Sequence, residues 1–68
     1  MRQVITFYTH NDDERWGSIW LGGDGRLHYD TQPMAGIAEV WADREEAFME
    51  RYRERSNGYV YTKTTLEE

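Results

Sequence analysis

Few residues in this chain have the type and spacing that chemistry requires. His28 and Asp30 stand two apart in an alternating stretch, so a strand would put both on one face as a ligand pair or a poised acid–base pair. With no third ligand beside them, ordinary surface pairing is the simpler reading. His10, Asp12, Asp13 and Glu14 form a dense polar cluster able in principle to hold a hard cation. It lacks the glycine and the distal glutamate of a calcium loop, and Asn and Asp are common turn residues, so it reads as a turn.

Gly22-Gly23-Asp24-Gly25 has no Gly-Lys-Ser/Thr ending and leads into a strand rather than a helix, which argues against a phosphate loop. Ser18 and Ser56 are the only serines, neither lies in a nucleophile-elbow context, and there is no cysteine. A chain of 68 residues also struggles to enclose a cleft of about 300 Å³ or more. These observations point away from an enzyme, a bound cofactor and a metal centre.

Composition narrows the class further. The formal charge is −5, and both halves are acidic: residues 1–42 carry three Arg against six Asp/Glu, residues 43–68 five Arg/Lys against seven. A negative field opposes non-specific binding to nucleic acid or to an anionic membrane. No apolar run approaches the roughly 20 residues of a membrane span. The opening Met1-Arg2-Gln3-Val4-Ile5-Thr6 is too short and polar for a signal peptide, and with no cysteine a cytoplasmic location is the expectation. Three Trp, five Tyr and two Phe supply the bulk from which a small core can be built.

The elements follow from periodicity. Gln3 to Thr9 alternates, with Ile5 and Phe7 on one side and Val4, Thr6 and Tyr8 on the other. Arg15 to Leu21 does the same, setting Gly17, Ile19 and Leu21 against Trp16, Ser18 and Trp20. Gly22 to Gly25 is the clearest hairpin signal, leading to a third strand from Arg26 to Asp30. A two-residue turn would pair Trp20 with Tyr29. A three-residue loop, Gly23-Asp24-Gly25, pairs Leu21 with Leu27 and Ile19 with Tyr29, and puts Gly25 where φ must be positive. The second arrangement is preferred.

Pro33 suits the first turn of a helix, and Met34, Ile37, Ala38, Trp41, Phe48 and Tyr52 keep one angular phase at 3.6 residues per turn, with only Glu45 intruding. Asp43-Arg44-Glu45-Glu46 has the form of a capping box, so a kink or break is expected near Ala42-Asp43 and a helix end at Ser56-Asn57-Gly58. On that wheel Arg44, Arg51 and Arg55 fall within about 40°. They could clamp an anion, but solvated arginines flanking the stripe, with Arg51 paired to a glutamate such as Glu54, are the simpler reading. Tyr59 to Thr65 is a last strand.

The expected fold is a single α+β domain over residues 1–68: an antiparallel β-meander, a helical segment (one kinked helix or two), and a fourth strand, in two layers. The helical segment can roof only one side of the sheet. The side left open would carry Val4, Tyr8, Trp16, Trp20 and His28, with Tyr61 as one choice for the last strand. Exposed aromatic patches mark interaction sites. The expected function is therefore a non-enzymatic protein–protein interaction domain that binds through this face, most simply to a second copy of itself. Base-stacking platforms for single-stranded nucleic acid share the rings but need a basic groove, which the charge argues against. The alternative is a small acidic inhibitor or adaptor that uses Asp12, Asp13, Glu14, Glu39, Glu46 and Glu50 to dock on a basic surface of a larger protein or nucleoprotein.

Overall fold

The computed structural model describes residues 1–67. Its elements run β1 (Arg2–Thr9), β2 (Arg15–Leu21), β3 (Leu27–Tyr29), α1 (Gln32–Val40), α2 (Glu45–Arg51) and β4 (Val60–Glu67). The strands form one antiparallel sheet in the order β3-β2-β1-β4, so the last strand returns beside the first. An α+β two-layer architecture with a strand-strand-strand-helix-helix-strand order is thus the fold.

The β2–β3 hairpin adopts the three-residue loop. Leu21 pairs with Leu27 and Ile19 with Tyr29. The Gly22 N–H donates to the Arg26 carbonyl at 2.8 Å, and Gly25 takes φ 78°, a conformation that glycine reaches without a Cβ clash. The β1–β2 ladder holds Val4 opposite Trp20, Ile5 opposite Ile19 and Thr6 opposite Ser18, then shifts: Phe7 faces Gly17 but Tyr8 faces Arg15. Trp16 is the extra residue of this β-bulge.

The helical region is two helices. The break falls at Trp41 to Arg44, where Asp43 takes φ 66°. The capping box does not form as expected, because the N-cap is Arg44 and makes no side-chain cap. Instead the Glu45 carboxylate accepts the Asp43 N–H at 2.9 Å, which explains an acidic residue in the apolar stripe. The expected helix end at Ser56 is also corrected: α2 stops at Arg51. From there the chain turns so that the Arg55 carbonyl can accept the Thr62 N–H at 2.8 Å. The turn into β4 is held by Asn57, whose Oδ1 accepts the N–H groups of Tyr59 and Val60, both at 2.8 Å.

One core lies between the sheet and the helices, built from Ile5, Phe7, Ile19, Met34, Phe48, Met49 and Val60. Phe7, Trp41, Phe48 and Tyr52 meet ring to ring at 4.9–6.4 Å. Thr62 lies on the same side, with its hydroxyl donating to the Tyr52 carbonyl at 2.8 Å. The helix-facing residues of β4 are therefore Val60 and Thr62, and Tyr61 falls on the opposite side.

Candidate functional site

Both helices cover the side of the sheet that carries Ile5, Phe7 and Ile19, so the other side is left to its own side chains. Ladder register decides what meets there. Tyr8 and Tyr61 are directly opposite, and their rings stack at 5.3 Å. Trp20 and His28 are likewise opposite, stacked at 6.2 Å with planes 13° apart. Each pair carries a cation: Lys63 Nζ lies 5.7 Å from the centroid of Tyr8, and Arg2 Cζ lies 5.7 Å from that of Trp20. Such contacts are worth about 0.5–1 kcal/mol at exposed sites. Neither cation forms a salt bridge among the described residues.

Between the two ring pairs runs a polar spine. Thr6 and Ser18 share a buried hydroxyl–hydroxyl bond of 2.7 Å, and Ser18 Oγ also accepts from Arg15 at 2.8 Å. Arg15 in turn pairs with Asp30, whose second oxygen accepts the Ser18 N–H at 2.8 Å. Desolvation works to raise the Asp30 carboxyl. The guanidinium of Arg15 and the Ser18 N–H outweigh it, and the group titrates below its ordinary value. Val4 is buried among these side chains at 6% exposure, although no helix covers it. A shallow hollow of about 230 Å³ opens above it between Arg2, Trp20, Asp30 and Glu67.

At one end of the face, His10 lies 5.0 Å from the Tyr61 ring, and the Tyr61 hydroxyl donates to Asp13 at 2.7 Å. That bond, foremost, raises the Tyr61 hydroxyl above its ordinary value and keeps it protonated. At the other end, His28 Nε2 lies 3.0 Å from Asp24, and a hydrogen bond from the imidazole is the main cause that lowers the Asp24 carboxyl. Gly22 makes room for this imidazole, since a Cβ there would stand 2.5 Å from its Nε2.

Of the residues expected on the open side, Val4, Tyr8, Trp20, His28 and Tyr61 share this face. Trp16 does not. The bulge rotates it out of the alternation, and it packs against the helix-side core, its ring edge-to-face with Tyr59 at 6.1 Å between centroids. His28 and Asp30 do not act as a pair, because His28 turns to Asp24 and Asp30 to Arg15. His10, Asp12 and Asp13 bond separately, to Ser56, Thr9 and Tyr61. Among the described residues no group of three or more His, Asp or Glu converges on one point. The arginine clamp does not assemble either: Arg44 lies 4.6 Å over Trp41 and Arg51 lies 5.9 Å over Tyr52, rather than paired to Glu54, while Arg55 is past the helix end.

Sequence reasoning missed the cations on the rings and the Arg15–Asp30–Ser18–Thr6 spine. Alternation groups Thr6 with Ser18, but only the bulge brings Arg15 onto this face.

No described helix is long and apolar enough to cross a membrane. No protein-family model matches the chain, and no curated protein or solved structure is similar to it at a significant level.

Proposed function

We propose that this chain is a non-enzymatic protein-interaction domain that self-associates, with the uncovered sheet face as its contact surface. One observation carries the reading: both helices pack on one side, and the other side presents two stacked ring pairs, Tyr8–Tyr61 and Trp20–His28. Rigid amphipathic rings of this kind supply contact area at little cost in conformational entropy. The cations above them are long side chains that can swing outward and meet acceptors on a partner. Trp20, half-buried, is the anchor.

Sedimentation of the native chain and of Trp20→Glu across the micromolar range tests the reading. The native chain is expected above monomer mass and the variant below the native value. A native chain that stays monomeric throughout contradicts it.

A second reading, an acidic adaptor, rests on Asp12, Glu39, Glu46 and Glu50, which are exposed and form no salt bridge among the described residues. It requires binding to a basic partner that weakens as salt rises.

A further inference from the structure

We infer that two copies of the chain join edge to edge through β4, in the antiparallel register that sets Lys63 of one copy opposite Glu67 of the other. This contact is made by the main-chain edge of the sheet rather than by the rings of the uncovered face, although the Lys63 and Glu67 side chains stand on that face, and three features of the strand select it.

The first is which main-chain groups point outward. β4 bonds to β1 on one side only. On its outer side the Thr62 N–H donates to the Arg55 carbonyl, and the Val60 carbonyl accepts the Asn57 N–H at 2.9 Å. Outward groups recur at every second residue, so the next ones belong to Thr64 and Leu66. No backbone partner meets these among the described residues. The outer edge is thus closed along its first half and open along its second. A groove of about 760 Å³, lined by Glu54, Arg55, Lys63, Thr64 and Thr65 among others, runs beside it.

The second is parity. A hydrogen-bonded antiparallel pair needs outward residues from both strands, so the candidates are Thr64 and Leu66 against their own kind. Setting Thr64 opposite Leu66 of the other copy, twice by symmetry, engages the N–H and carbonyl of both residues in each copy. Centring the axis on Thr64 or on Leu66 engages only one residue from each copy within the described strand.

The third is chemistry, and it is independent of the second. In that register Thr65 sits on the two-fold axis, Lys63 falls opposite Glu67 of the other copy, and Leu66, 60% exposed, packs beside Thr64 of the other copy. Opposite charges directly across a ladder favour pairing. A lysine on an edge strand ordinarily guards against foreign strands, whereas here the matching carboxylate is built into the same strand. Joining in this way makes the two uncovered faces one continuous surface, with four strands from each copy.

The test uses charge exchange on the full chain, read by sedimentation equilibrium. In a Trp20→Glu background, where the face is disabled, the chain is expected to remain a two-copy species. Adding Lys63→Glu or Glu67→Lys alone weakens that species by roughly tenfold, since each sets like charges opposite one another twice. The double exchange Lys63→Glu with Glu67→Lys restores it. Within one strand the two positions are about 13 Å apart, so restoration reports contact between copies. The same comparison in the native background keeps the test open if Trp20→Glu does not fold. A Trp20→Glu chain that is folded and monomeric, single exchanges without effect, or a double exchange no better than the singles would each overturn the proposal. The first of these leaves the face reading to stand on the native mass.

Discussion

Gly17 of β2 lies directly beneath Met34 of α1: a Cβ at position 17 would stand 2.4 Å from Met34 Cγ and 2.1 Å from Thr31 Oγ1. The close approach lets the Thr31 hydroxyl donate to the Trp16 carbonyl at 3.0 Å, at the bulge itself. Helix seating, bulge and the rotation of Trp16 off the open face therefore depend on one missing methyl group. Gly17→Ala is expected to destabilise the fold by about 1–3 kcal/mol through overpacking against backbone-anchored neighbours. Urea unfolding followed by tryptophan fluorescence measures it.

Phe48 is fully buried and touches three rings. Its truncation to alanine should cost about 3–5 kcal/mol. In a domain this short that is most of the stability available, so Phe48→Ala is expected to be largely unfolded at 37 °C by far-UV circular dichroism.

Asp30 links pH to stability. Its folded carboxyl titrates below the ordinary value because Arg15 and the Ser18 N–H outweigh the desolvation. As pH falls the unfolded chain takes up that proton first. The contribution is therefore complete above about pH 5 and fades as pH drops through the folded value below about pH 4. The Arg15–Asp30 pair is partly exposed, so Asp30→Asn should cost only about 1 kcal/mol at neutral pH. Urea titrations of both proteins at stepped pH should show the difference shrinking on the acid side.

Asn57 accepts two successive N–H groups and so sets the entry into β4. Asn57→Ala should lose about 1–2 kcal/mol. Amide exchange at Thr62, protected by the Arg55 carbonyl, is expected to quicken more than exchange at Ile5 or Ile19 in the sheet centre.

What could be read from the residues divides along physical lines. The β2–β3 register was legible because only one loop length puts Gly25 at a left-handed position and Leu21 against Leu27. The sharing of the face by Trp20, Tyr8 and His28 follows from strict alternation. Trp16 was misplaced because nothing in Arg15-Trp16-Gly17-Ser18 marks an inserted residue. The demand for it comes from α1 pressing on Gly17, a tertiary effect. The helix break near Asp43 was signalled by polar residues, but Glu45 reaching back replaced the expected cap. Helical phase continues through Tyr52, which hid the early end of α2 at Arg51. The chain leaves the helix there to lay Arg55 beside Thr62, a contact that local pattern cannot announce.

The claim that the uncovered face is a contact surface is tested most directly by mixing isotope-labelled and unlabelled native chains at high micromolar concentration and recording only nuclear Overhauser contacts between copies. Cross-peaks from the Trp20 indole and the rings of Tyr8 and Tyr61 to another copy are the predicted result. Between-copy contacts confined to other surfaces, or none at all, would contradict it.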